Sequence, residues 1–377
     1  MDERPMVAFL APRSGDFEHI GARASSAVSM AATQFGVARI ESFDTEEGAA
    51  EAYQNAVGAG AVAIIGPIGE LESREVIAAS DPNGPPIFLL SSVQGIEAEG
   101  DHVFRMRTSP ADQTEAIIGH VLATTEMTDF AVLAPDDSYG DEAVLAALRA
   151  VSAFGGVLNR VVRYEAEEPD ASDAVATLVG ERTDRLSVPT SPWRTPPSVS
   201  VRSSGGDRSR PHALLIPDFG SQVASLLPYL EFHGWIGENG GADVALLGLS
   251  GWAGLAIEAA GDLAASAQIT QVYSSDDFRG LAEGFALEYE IRFERAPTEF
   301  DAQVFDAATF VMELLHFGPE TLGDRAFARD DFAGVCGEAW LSGEGALIRV
   351  LGLWEMDGLG QLYPIDSIRP PREGALR

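Results

Sequence analysis

The sequence predicts a doubly wound α/β protein built as two lobes. Three observations carry this. Short, fully apolar runs such as MVAFLA (6–11), AVAII (61–65) and IFLL (87–90) have the look of strands buried on both faces. Amphipathic helical stretches separate them, which is the signature of a parallel sheet covered on each side. At 377 residues the chain is also long for one core, and the strand–helix alternation restarts past residue 110.

The first run reads as strand 6–11, helix 19–35, strand 37–43, helix 45–57, strand 61–65, helix 70–79 and strand 87–90. The second reads as helix 111–125, strand 130–133, helix 141–154, strand 156–163, helix 172–182, strand 213–216, helix 221–233 and strand 244–249. Two further helices are expected at 277–293 and 302–315. A strand at 346–355 follows, turns at Asp357-Gly358 and pairs with 361–365. A terminal hairpin of this kind returns the chain to a sheet it had left. The expected division is 1–120 plus 274–330 for a near lobe, and 121–273 plus 331–377 for a far lobe. Within the far lobe, 187–211 is dominated by Pro, Ser, Gly and Arg and reads as a disordered surface insertion.

Charge narrows the partners. Formal net charge is −33, from 58 acidic against 25 basic residues, and every basic side chain other than His is arginine. Such a field repels nucleic-acid phosphates and anionic lipid, so no nucleic-acid partner is expected. An acidic, lysine-free surface fits adaptation to a saline host. One cysteine, Cys336, allows no intramolecular disulfide. No apolar run approaches the roughly 18 residues of a membrane span. The opening residues show no export signal or lipid-acceptor cysteine, so an envelope protein would have lost that segment.

Catalytic signatures fail on inspection. Residues 58–63 fit a loose GxGxxA pattern, but the helix precedes and the strand follows, the reverse of a dinucleotide-binding turn. In GLSGW (248–252) Trp252 stands where a nucleophile elbow needs glycine. The six histidines have no close metal spacing, so no metal and no cofactor are expected. The acidic run 136–142 lacks the alternating ligands of a calcium loop and suits a helix N-terminus instead. Binding rather than catalysis is the expectation.

Small polar residues gather after strands: Ser14-Gly15, Gly66 to Gly69, Ser91-Ser92, Asp136 to Gly140, Asp218-Phe219-Gly220 and Ser250-Gly251-Trp252. In open α/β sheets the carboxyl ends of the strands carry the ligand. The candidate lining is therefore Ser14, Gly15, Gly69, Ser91, Ser92, Tyr139, Phe219, Ser250 and Trp252, expected to face an interlobe cleft.

At these residues the sequence resembles the type 1 periplasmic binding proteins, which include the leucine/isoleucine/valine-binding proteins. The resemblance is carried by VAFLAPRSGDFEHIG, AIIGPIGELES, PIFLLSSV, VFRMRTSPADQ, FAVLAPDDSYGDEAVLAAL, LLIPDFGSQVASLLPYLEFHG, LLGLSGW and EFDAQVFDAATFVMELL. It implies two Rossmann-like lobes in a Venus-flytrap arrangement. For an amino-acid receptor it further implies a hydroxyl at Gly69, a threonine at Val93 and a carboxylate near Ser250; of the expected polar contacts only Tyr139 is kept. The stretches LLPYLEFHGW, GLSGW and FAGVCGEAWLSGEGALIRVLGLWEMDGLGQLYPI are similar to the penicillin-binding protein activator branch, envelope lipoproteins of the same fold. That likeness implies a peptidoglycan synthase as partner; the wider family implies an ABC permease and a small polar solute.

The charge has a direct consequence. With −33 formal charges, self-repulsion weakens the fold at low ionic strength. The melting temperature is expected to rise by several degrees between millimolar and molar sodium chloride. A flat or falling response in a thermal melt would show that the charges are already dispersed or paired.

Overall fold

The computed structural model describes residues 3–165, 172–180, 210–237, 244–275 and 281–371. Of the expected insertion, 187–211, residues 187–209 lie outside them. The chain forms two units: Met1–Ser109 with Val272–Val350 and Pro370–Arg377, and Pro110–Gln271 with Leu351–Arg369.

Unit 1 opens with β1 (Met6–Ala11), α1 (Glu18–Phe35), β2 (Arg39–Asp44), α2 (Ala49–Gly58), β3 (Ala61–Ile65), α3 (Glu70–Ala79), β4 (Ile87–Leu89) and β5 (Val103–Arg105). All five strands are parallel, in the order β2-β1-β3-β4-β5. Every residue of β1 is buried, as its unbroken apolar run requires. Gly36 ends α1 in the left-handed conformation, its N–H bonded to Ala32 O. The helix α2 begins later than its sequence implied. Asp44 accepts the Glu46 N–H at 3.1 Å and Gly48 N–H bonds Thr45 O, so 45–48 is spent on a turn.

Unit 2 begins with α4 (Pro110–Thr124), β6 (Asp129–Pro135), α5 (Ser138–Phe154), β7 (Val157–Tyr164), α6 (Ser172–Leu178), β8 (Ala213–Ile216), α7 (Gly220–Phe232), β9 (Ala245–Gly248), α8 (Leu255–Ala260) and β10 (Gln268–Gln271). Asp137 caps α5 by accepting the Gly140 N–H at 2.8 Å, the helix-capping role its acidic run foretold. Leu133, Leu214, Ile216, Leu226, Leu227 and Ile269 are among the fully buried residues of one apolar cluster in this unit.

The chain then returns to unit 1 with α9 (Ala282–Phe293), α10 (Glu299–Leu315), α11 (Leu322–Phe327), β11 (Phe332–Gly334), β12 (Gly337–Leu341) and β13 (Leu347–Arg349). Thr298 and Asp301 form a reciprocal capping box at the start of α10. Asp301 also pairs with Arg23 and accepts from Tyr289 at 2.9 Å, which joins α10 to α1 and α9. The last strands, β14 (Leu351–Met356) and β15 (Leu362–Ile368), form a hairpin that adds antiparallel to β10. Unit 2 thus has a seven-stranded sheet, β15-β14-β10-β9-β8-β6-β7. The hairpin rejoins a sheet left earlier, as expected.

Three sequence expectations are corrected here. The single strand expected at 346–355 is two strands: β13 pairs with β12 in a small antiparallel sheet of unit 1, and β14 belongs to unit 2. The first division falls at 109/110 instead of 120/121, because α4 packs along α5. The next falls at 271/272, two residues before the expected place, and the last at 350/351 instead of 330/331, because residues 331–350 fold against α10 and β5 of unit 1. The strands β5, β10, β11 and β12, whose runs VFR, QITQ, FAG and GEAWL are less uniformly apolar than those of β3 and β4, were not expected from the sequence.

The tie holding 331–350 in unit 1 is a buried carboxylate. Asp306 of α10 accepts Val335 N–H at 2.7 Å and Cys336 N–H at 3.1 Å, and pairs with Arg349 Nη1 at 2.8 Å. Both charged side chains are 0% exposed. Asp306→Ala leaves a buried guanidinium and two N–H groups without acceptors, and is expected to cost about 3–5 kcal/mol. Urea unfolding followed at a unit 1 probe checks this; a loss below about 1 kcal/mol would show the pair contributes little.

Candidate functional site

In unit 1 the connections leave β1 toward β2 on one side and β3 on the other, so the carboxyl ends of β1 and β3 mark a topological switch point. Ser14 and Gly15 lie in the loop after β1. The Ser14 hydroxyl donates to Asp44 Oδ2 at 2.8 Å, and Arg13 N–H donates to Oδ1 at 2.8 Å. Burial of Asp44 opposes its charge, but these donors, the Glu46 N–H and the Arg13 charge together hold its carboxyl below the usual range. Ser14 is therefore committed to the turn. Gly15 sits at φ +73°, where a side chain would also meet Glu46.

The loops after β3 and β4 are joined, Leu90 N–H donating to Pro67 O at 2.9 Å. Gly69 caps α3 in extended geometry, and its carbonyl accepts the Ser73 hydroxyl at 2.6 Å. Glu70 and Glu72 occupy the first turn of that helix, so its N-terminus is already matched by negative charge. Ser91 is buried, its oxygen 3.4 Å from the Val93 N–H, while Ser92 and Val93 are half-buried. Arg107, just past β5, donates from Nη1 to Leu90 O at 3.2 Å and lies 4.9 Å over the Phe300 ring. Burial pushes its pKa down, against the charge of Glu299. Sequence reasoning missed Arg107 because β5 was not recognised, although the resemblance stretch VFRMRTSPADQ contains it.

In unit 2 Tyr139 and Phe219 come together, with ring centroids 5.4 Å apart, and Phe219 is 57% exposed. Asp218, next to Phe219 in the loop after β8, is buried. Its carboxylate accepts the Tyr164 hydroxyl and the Phe219 N–H. Burial pushes the Asp218 pKa up and the Asp137 charge adds to it, against the pull of those two donors. Burial and the Asp218 charge push Tyr164 up much further. Arg163, at the end of β7, pairs with Asp136 at 3.3 Å and Asp141 at 2.7 Å. Ser250 is half-buried, and its N–H donates to Gln113 Oε1 at 2.9 Å, which also accepts the Thr270 hydroxyl at 2.8 Å. Asp218 and Gln113 were not expected as site residues; the strand-end position of Asp218 was the available signal.

Trp252 is a correction. It is fully buried, its Nε1 donates to Ile216 O at 2.8 Å, and a Cβ on Gly248 would lie 2.5 Å from its ring. It packs into the unit 2 core and does not line a ligand site. Its place after a strand concealed that the short turn folds it back under the sheet. Of the expected residues, Ser14, Gly15, Gly69, Ser91 and Ser92 fall in unit 1, and Tyr139, Phe219, Ser250 and Trp252 in unit 2. Among the described residues no group of three His, Cys, Asp or Glu could hold a metal ion, and no helix is long and apolar enough to cross a membrane.

Solved structures share this architecture at low identity. A branched-chain amino acid ABC transporter periplasmic ligand-binding protein from Burkholderia xenovorans matches with a TM-score of 0.72 and 15% identity, covering 97% of this chain and 96% of its own. The branched-chain amino acid transporter substrate-binding protein from Streptococcus pneumoniae, in complex with isoleucine, matches at 0.67 and 15%, covering 98% and 100%. A solute-binding protein of an ABC transporter from R. palustris, in complex with benzoate, matches at 0.67 and 15%, covering 99% and 98%. No curated protein matches the chain at a significant level. The family model described as periplasmic binding protein matches residues 6–317, more than half of the sequence, and its strand-end loops lie in both units of the fold. The chain belongs to the periplasmic binding protein family.

Proposed function

We propose that this protein is the substrate-binding receptor of an ABC transporter, working in the periplasm or cell envelope with a permease and carrying a small polar solute. The observation that supports it is the match to solute-binding proteins along nearly the whole chain, with hydrogen-bonding side chains gathered at the strand ends where such folds hold ligands. Binding, not catalysis, is the role this reading assigns. The likeness to penicillin-binding protein activators, with a peptidoglycan synthase as partner, draws no support from the solved structures described above, which are of transport-associated binding proteins.

The ligand need not be a common amino acid. Ser250 stands where a carboxylate for the ammonium is expected, and its N–H is held by Gln113. Asp218, the carboxylate in the adjoining loop of unit 2, already accepts from Tyr164 and Phe219. A desolvated ammonium without a partner costs several kcal/mol, so leucine, valine, glutamate and alanine are expected to bind at about millimolar affinity or worse. Isothermal titration with these, isoleucine, benzoate and 3,4-dihydroxybenzoate tests the reading. Saturable micromolar binding of at least one solute is expected. Submicromolar binding of a zwitterion would instead establish an ordinary amino-acid receptor. Absence of any solute binding, with retention of the protein on an immobilised peptidoglycan synthase, would replace transport by the activator role.

A further inference from the structure

Arg107, at a strand-end loop of unit 1, is a half-buried cation whose hydrogen bonds are incomplete. Two neighbouring cations are matched: Arg74 pairs with Glu70 and Glu99, and Arg105 pairs with Glu97 at 3.2 Å in a fully buried position. Arg107 has one hydrogen bond, from Nη1 to Leu90 O, and no ion pair among the described residues. Its Nε is buried without an acceptor. Glu299 acts on it electrostatically without forming an ion pair, and that carboxylate accepts Gln303 Nε2 at 2.9 Å. The next residue repeats the pattern, the Thr108 hydroxyl being buried without a partner while its N–H donates to Gln303.

A guanidinium presents Nε and Nη2 along one edge, the fork that fits a carboxylate. In Arg107 the Nη1 side is held by Leu90 O and the face is stacked on Phe300, so the side chain is fixed in direction while that edge stays unfilled. The residue held, Leu90, immediately precedes Ser91 and Ser92 in the loop after β4. Arg107 itself is half-buried, so the group remains reachable. Leaving a desolvated cation in this state is costly unless a ligand completes it. Burial already strains its charge downward in pKa, in keeping with a missing counter-ion.

We propose that Arg107 binds the carboxylate of the transported solute, so that this receptor selects small organic acids by a side-chain ion pair. This rests on the receptor reading given above. It also assigns the anion to a cation, where the first turn of α3, carrying Glu70 and Glu72, would repel it.

The test pairs acids with their neutral amides: benzoate with benzamide, and 4-methyl-2-oxopentanoate with its amide, titrated into the full chain and into Arg107→Gln and Arg107→Lys. An acid is expected to bind the native protein about 100-fold more tightly than its amide. Arg107→Gln is expected to lose about the same factor for the acid and to leave the amide unchanged, while Arg107→Lys, charged but without the fork, falls between. Unchanged amide affinity and melting temperature separate this from a folding defect. If acid and amide bind alike, or Arg107→Gln keeps acid affinity within about threefold, Arg107 is not the anion site although the receptor reading stands. If neither acid binds the native protein, organic-acid selection is overturned, and the receptor reading is then decided by the wider solute titration.

Discussion

A carboxylate with no access to water sets the shape of unit 1. Asp306 brings a negative charge into the interior on α10, and that charge must be met on every side. It is met by two backbone N–H groups from the turn between β11 and β12 and by Arg349 at the end of β13. The small antiparallel sheet is therefore located by electrostatics as much as by its apolar residues. Gly334 belongs to the same constraint, since a Cβ there would run into the Asp306 carboxylate. The chain leaves for unit 2 only after Arg349 has been placed, at 350/351.

The same constraint explains what could be read from the sequence and what could not. Strands β1 and β3 and the helices α1 and α3 were legible because continuous burial and amphipathic repeats are local properties. The stretch 346–355 is mostly apolar too, and nothing local marks Val350 as a break. Only the distant Asp306, which fixes Arg349, and the pairing of Gln268 to Gln271 with residues 352–355 assign its two halves to different sheets. Helix α4 was read correctly as a helix and assigned to the wrong unit, because its packing on α5 is a tertiary fact.

Legibility of the site divides along similar lines. Loops that follow strands were found from sequence, and Ser91, Ser92, Tyr139 and Phe219 do lie at strand ends. What those residues do depends on partners remote in the chain. Ser14 is absorbed by Asp44, 30 residues on, and Ser250 is fixed by Gln113, 137 residues before it. Trp252 turned inward because Gly248 leaves room for its indole against the sheet. Arg107 went unnoticed for the opposite reason: it follows a strand that its sequence did not announce, and its significance is the acceptor its Nε lacks.

The setting of Cys336 bears on the chemistry of its thiol. The sulfur lies beneath the turn that Asp306 organises, and burial, with the Asp306 charge next, pushes the thiol pKa well up. Thiol–disulfide exchange and oxidation both proceed through an accessible thiolate. A receptor working in the periplasm, as proposed, would thus keep its sole sulfhydryl chemically silent. Two copies meeting at high local concentration have no route to covalent dimers through it, unless unit 1 first unfolds.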